Sequence, residues 1–189
     1  MLKYEIKEVD EDFYSQHCKV LGLKIFEENT QLFSLNEALS DKEKDIRSSL
    51  RANLGKPINI YFAVLLEGKC IGWSWGFQKS GIEFYMCNSA ILPEYRRSGL
   101  YTRLLNAMLE KVQEFGFQEI SSRHLTTNNA VIIPKLKVGF VITQLEVSDL
   151  FGAVVHLTYH FNKTRKKVLD YRVGQIKPDS EIKRHLNLK

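Results

Sequence analysis

The chain has 189 residues, 44% of them hydrophobic and 26% charged, which excludes a wholly disordered polymer and fits one domain that folds without covalent staples. Its net charge is +5, but residues 163–189 alone hold nine Lys/Arg against three Asp/Glu, so the body is near neutral and the basic excess lies in the tail. Three cysteines without C-x-x-C spacing argue against a disulfide framework or zinc knuckle and for a reducing, cytoplasmic setting, and no stretch approaches a membrane span or a signal-peptide core.

Tyr4 and Ile6 alternate with Lys3, Glu5 and Lys7, the pattern of a short half-buried strand. Residues 10–28 read as helical. A second helix is expected over about 30–54, where Leu32, Leu35, Leu39, Ile46, Leu50 and Leu54 form one stripe meant for the core. Residues 58–66 and 70–78 flank Glu67-Gly68-Lys69 as a hairpin. In its second arm Ile71, Trp73, Trp75 and Phe77 share one face, while Gly72, Ser74 and Gly76 leave the other bare for close approach. Ser80-Gly81 turns the chain into a strand over 82–92.

A helix follows, with Leu100, Leu104, Leu105, Met108, Leu109, Val112 and Phe115 inward and Gly116 as its cap. Residues 118–125 read as a strand and 128–138 as a short helical segment. Strands over 140–147 and 153–161 complete the order β α α β β β α β α β β, a mixed α/β sheet with helices on both sides. His156 and His160 lie on one strand face about 13 Å apart, at ~3.3 Å per residue, so they share no metal ion and none is expected elsewhere.

The chemistry concentrates where the strand over 82–92 meets the next helix. Ile91 and Leu92 end the strand, and Arg96, Arg97, Ser98, Gly99, Leu100, Tyr101 and Thr102 open the helix. Such a turn aims several amides and the positive end of the helix dipole at one spot, which suits a diphosphate. The two arginines add charge, Ser98 and Thr102 add hydroxyls, and Gly99 permits close approach. Taken alone, a plain helix start with two solvated arginines reads equally well.

These residues resemble the GNAT superfamily of N-acetyltransferases, whose phosphate motif Arg/Gln-x-x-Gly-x-Gly/Ala reads here as Arg96-Arg97-Ser98-Gly99-Leu100-Tyr101. Asn128 and Gly139-Phe140 match a second family motif, in the helix after the fifth strand. The resemblance runs from about residue 3 to 161. It implies a GNAT-like acyl-CoA N-acyltransferase fold, a splayed mixed β-sheet flanked by helices, with a domain over 1–163 and a basic extension over 164–189. It also implies acetyl-CoA as co-substrate: its diphosphate on Arg97 to Thr102, with Arg96 beside it in the cofactor site, its pantetheine against Ile91 and Leu92, and Asn128 on the far side of the gap. Lys135 stands where the family places a tyrosine that often protonates the departing thiolate, and the last small position of the phosphate motif is Tyr101. Pro134 beside Lys135 requires that helix to be short, kinked or begun near Ile132.

An amine acceptor must lose a proton before it attacks a thioester. Glu83 and Tyr85, on one face of the strand leading to the site, and His124, at the end of another, are the candidate catalytic residues. Each has a plainer role: a solvated carboxylate, a core tyrosine, a structural histidine. Arg123 occupies the place of a glutamate base found in some relatives, and Cys87 reads as a small hydrophobe. The expected partner is a small-molecule or peptide amine, and a homodimer through the last strands and the tail is compatible with the sequence. Two other functions compete: a non-catalytic acyl-CoA sensor, and, less favoured for want of a stacking platform, a nucleic-acid binder using the tail.

Overall fold

The computed structural model describes residues 3–26, 39–52 and 55–188. The elements in chain order are β1 (Tyr4–Val9), α1 (Glu11–Phe13, a π turn over Tyr14–Cys18, then Lys19–Phe26), α2 (Asp41–Ala52), β2 (Asn59–Leu66) and β3 (Lys69–Gln78). They continue with β4 (Glu83–Ile91), a 3-10 turn (Pro93–Tyr95), α3 (Leu100–Glu114), β5 (Glu119–Leu125), α4 (Asn129–Val138), β6 (Val141–Ser148), β7 (Gly152–His160), α5 (Lys163–Arg172) and α6 (Ser180–Leu186). Through β7 this is the expected order. Of the leucine stripe expected over 30–54, Leu32, Leu35 and Leu54, and the side chain of Leu50, fall outside the described residues.

Local chemistry starts and stops these elements. The Asp10 carboxylate caps α1 by accepting from Phe13 N at 2.7 Å. Ser40 and Glu43 cap α2 reciprocally, Ser40 N donating to Glu43 and Glu43 N to Ser40 Oγ. Glu67 and Gly68, both at positive φ, close the β2–β3 hairpin as a two-residue turn requires. Ile46, expected inward, is 50% exposed: charged residues from Asp41 to Asp45 surround the start of α2 and leave it no continuous apolar stripe there.

The sheet order is β1-β2-β3-β4-β5-β7-β6. Neighbours are antiparallel except β4 and β5, which run parallel and pair only over Glu83–Tyr85 and Glu119–Ser121. One face packs on α3, whose Leu100, Leu104, Leu105, Met108, Leu109 and Val112 are all buried. Phe115 is not: it caps α3 past the end of that stripe, exposed beneath the Lys111 ammonium, and Phe117 fills the core instead. The other face packs on α1 through Tyr14, Cys18, Tyr61 and Trp73. Ile71 leaves the Trp73 face expected for it, because a bulge opposite Val64/Leu65 turns it into the α3-side core.

The tail folds onto the body. Asn162 and Asp179 cap α5 and α6, Ile182 is fully buried, and Arg165 reaches Glu119 of β5 at 2.8 Å. Among the described residues no helix is long and apolar enough to cross a membrane.

Candidate active site

Once the β4–β5 pairing stops at Tyr85 and Ser121, the two strands part and α4 lies over the opening. The cleft is lined by Met86, Cys87, Asn88 and Ser89 of β4, by Arg123 and His124 of β5, and by Asn128, Val131 and Lys135. Against β3, Trp75 pairs with Asn88 and Gly76 with Met86, so Cys87 is an extra residue in a bulge. A bulge re-aims backbone groups, here on the cleft wall. The bare face of β3 is approached by β4 itself: a Cβ on Gly72 would meet the Ala90 carbonyl, and one on Gly76 would meet Phe84 and Met86.

The turn after β4 is tightly braced. Arg96 Nε donates to the Ile91 carbonyl at 2.9 Å, Leu92 N to Ile71 O at 2.9 Å, and Ser98 Oγ to Tyr95 O at 2.6 Å. Of the backbone groups expected to meet a pantetheine chain, the Ile91 carbonyl and the Leu92 amide are therefore already engaged. Arg97 and Gly99 take positive φ, and open space surrounds Gly99. No side chain caps α3, so its first amides, with Thr102 exposed beside them, face outward without helix partners. Tyr101 turns away from this surface, packing on the core with its hydroxyl buried and unpartnered; burial pushes its pKa up.

Helix α4 begins at Asn129, not near Ile132, and keeps Pro134 inside its ten residues; Gly139 at φ 112° ends it. Lys135 is 1% exposed. Its Nζ donates to Ser122 Oγ at 2.6 Å, approaches Met86 Sδ at 3.6 Å and lies 4.9 Å from the Phe140 ring centre. Burial brings its pKa down to about 7. His124 Nε2 shares a hydrogen bond with the same Ser122 oxygen at 2.9 Å, and burial, then the Lys135 charge, push its pKa down to about 3. Such an imidazole stays neutral and is too weak a base to hold an ammonium proton, which removes His124 as a stand-alone base.

Glu83 does not reach the cleft. It sits on the paired stretch of β4, held by Lys79 at 2.8 Å and by the Ser121 hydroxyl. The Tyr85 hydroxyl accepts from Arg123 Nε at 3.3 Å, and Arg123 Nη1 is paired with Glu146 at 2.9 Å. Glu146 also meets His156, which with Arg123 holds its carboxyl low. Arg123 therefore has the blander role, an ion pair that ties β5 to β6. Sequence reasoning missed Ser122, a plain strand serine whose contact with Lys135 depends on how α4 crosses β5.

The profile of the acetyltransferase (GNAT) family matches residues 18–140. The chain belongs to this family. Solved GNAT-fold structures with which it is similar include Ard1 from Thermoplasma volcanium (17% identity, TM-score 0.60, covering 85% of this chain and 99% of that one). The ribosomal-protein-S18-alanine N-acetyltransferase from Escherichia coli is 17% identical, with TM-score 0.57 and coverage of 85% and 95%. A GNAT family acetyltransferase from Elizabethkingia anophelis with acetyl-CoA bound is 11% identical, with TM-score 0.55 and coverage of 84% and 98%. No curated protein matches the sequence. Among the described residues of this GNAT chain, no group of three His, Cys, Asp or Glu could hold a metal ion.

Proposed function

We propose that the protein transfers an acetyl group from acetyl-CoA to a primary amine of a small-molecule or peptide acceptor. The observation that carries this reading is the parting of β4 from β5 directly before an uncapped α3. A pantetheine chain fits such a gap as an added strand, and a diphosphate fits the amides and the Arg97 charge at the helix start. That a solved structure of similar fold has acetyl-CoA bound supports acetyl-CoA as the co-substrate. A backbone amide at the Cys87 bulge would receive the thioester oxygen as negative charge develops. Asn128 would steady the carrier from the α4 side. The acceptor must arrive as a free amine or lose its proton to water, since neither Glu83 nor isolated His124 serves as base.

The test is calorimetric titration with acetyl-CoA of the wild type and Gly99→Glu, followed by an amine screen for thiol release. Binding abolished by the carboxylate, with thiol released by some amine, supports the proposal. Binding without turnover for any amine returns the sensor reading, and no binding by the wild type at millimolar acetyl-CoA overturns both.

A further inference from the structure

Two irregularities of the fold converge on one contact. The π turn of α1 ends at Cys18, which is fully buried against the sheet. On β3 the bulge at Ile71 sends that residue to the α3 side, and Cys70 lies on the α1 side, packed with Leu65 and Cys18. Strict alternation from Trp73 would put Cys70 on the opposite face. Bulges re-aim side chains, and π turns gather at functional sites. Here each irregularity carries a thiol: Cys18 Sγ and Cys70 Sγ are 3.2 Å apart, although 52 residues separate them in sequence. Packed carbon atoms settle at about 3.5–4.0 Å, so the two sulfurs share a hydrogen. A role as a small hydrophobe accounts for Cys18 alone, but not for a second sulfur aimed at it.

We propose that Cys18 and Cys70 are an oxidisable dithiol, which hydrogen peroxide converts reversibly to a disulfide tying α1 to β3. Cys70 is half-buried and Cys18 fully buried, so the oxidant meets Cys70 first. Cys70 gives its own hydrogen to the Gly72 carbonyl at 3.4 Å, which leaves Cys18 as the donor to the Cys70 sulfur. That bond holds the Cys70 thiol below its ordinary range and, with burial, holds Cys18 above it. The Cys70 sulfur attacks one peroxide oxygen, the O–O bond breaks, and the second oxygen leaves as water with the thiol proton. The Cys18 sulfur then attacks the Cys70 sulfur, and the S–O bond breaks. The hydroxyl leaves as a second water with the Cys18 proton. Two thiols and one peroxide thus become one disulfide and two waters, and a dithiol reductant reverses the change. A disulfide of about 2.05 Å asks each sulfur to move by only about 0.6 Å. Neither cysteine lines the cleft, so the pair stands independently of the acyl-CoA reading.

The test treats the reduced full-length chain with hydrogen peroxide, alkylates the remaining thiols and maps the digest by mass spectrometry. A peptide linked through Cys18 and Cys70 is expected within one molecule. The linked protein should melt roughly 5–15 °C above the reduced one, and dithiothreitol should restore the reduced melt. In Cys18→Ser the same treatment should form no such link and should leave on Cys70 a sulfenic acid that dimedone traps. Cys18 and Cys70 both alkylated after peroxide, or Cys70 joined to Cys87 or to a second molecule, overturns the inference. A linked protein that melts at or below the reduced one shows that the native packing does not accommodate the bond, and overturns it too. Absence of the dimedone adduct in Cys18→Ser overturns Cys70 as the first site of attack. Should Cys18→Ser not fold, Cys70→Ser takes its place: its Cys18 should stay reduced and its Tm unchanged by peroxide, and an oxidised Cys18 there would overturn the order of the two steps.

Discussion

Arg96 Nε donates to the Ile91 carbonyl at 2.9 Å, so the turn after β4 is tied back to the last residue of that strand. Neighbouring Arg97 is exposed at φ 60° and has no partner among the described residues. The two arginines should therefore fail differently. Arg96→Ala loses a structural hydrogen bond worth roughly 1 kcal/mol and should lower Tm by about 2–4 °C. Arg97→Ala should leave Tm unchanged and weaken acetyl-CoA binding about 3- to 10-fold, as loss of one charge on a diphosphate would, at about 1.4 kcal/mol per tenfold. Melting curves and calorimetry on both variants check the split; equal effects on both measurements count against it.

Gly76 faces Met86 beside the β4 bulge. A Cβ there would stand 3.1 Å from Met86 Cα and 2.5 Å from Phe84 Cε1. Gly76→Ala overpacks the strand pair by about 1–3 kcal/mol and should lower Tm by roughly 4–10 °C. Gly81→Ala, with nothing within 4 Å of its Cβ, is the control and should melt as the wild type. Coincident melts for the two variants would mean that β3 and β4 separate at no cost there.

The hairpin about Gly68 and the inward face of α3 were legible because turn chemistry and helical period depend on local sequence alone. The strand end, turn and helix start over residues 91–102 were legible for the same reason. Irregularities were not. In α1, Lys19 N bonds to Tyr14 O, one residue beyond the α-helical partner, and nothing in the spacing of apolar residues announces it. Bulges at Ile71 and Cys87 reverse faces that strict alternation would assign. Glu83 was misread because residue order could not show where β4 and β5 stop pairing. Ser122 was invisible because its partner lies thirteen residues away on another element.

Stability should depend on pH through the two lowered groups of the cleft. Lys135 is brought from its ordinary 10.5 to about 7 by burial. As pH falls through that window the unfolded chain takes up a proton that the folded protein does not. Stability is thus fullest above 10.5 and lost down to about 7, at about 1.4 kcal/mol per unit. Lys135→Met should gain stability over the wild type by an amount that grows from pH 10 to 7 and is constant below. His124, brought from 6.5 to about 3, acts the same way in that lower window, so His124→Gln should flatten the acid slope between pH 6.5 and 3. Urea melts across pH check both, and a constant Lys135→Met difference from pH 10 to 7 would contradict the buried-ammonium account.

The tail is joined to the body by specific contacts. Arg165 lies 2.8 Å from Glu119 on β5, Thr164 donates to Glu181 at 2.8 Å, and Lys167 bridges Asp179 and Glu181 between α5 and α6. Exposed ion pairs of this kind contribute little singly. Ile182 is different: it is fully buried, and truncating such a side chain costs about 2–5 kcal/mol. Ile182→Ala should therefore lower the Tm of the whole protein by roughly 5–10 °C in a single transition, while Lys183→Ala, exposed beside it, should not. Truncation after Asn162 should be at least as costly, because it also strips Arg165 from Glu119. An Ile182→Ala melt that overlays the wild type, or a separate early transition, would mean that α5 and α6 fold apart from the sheet.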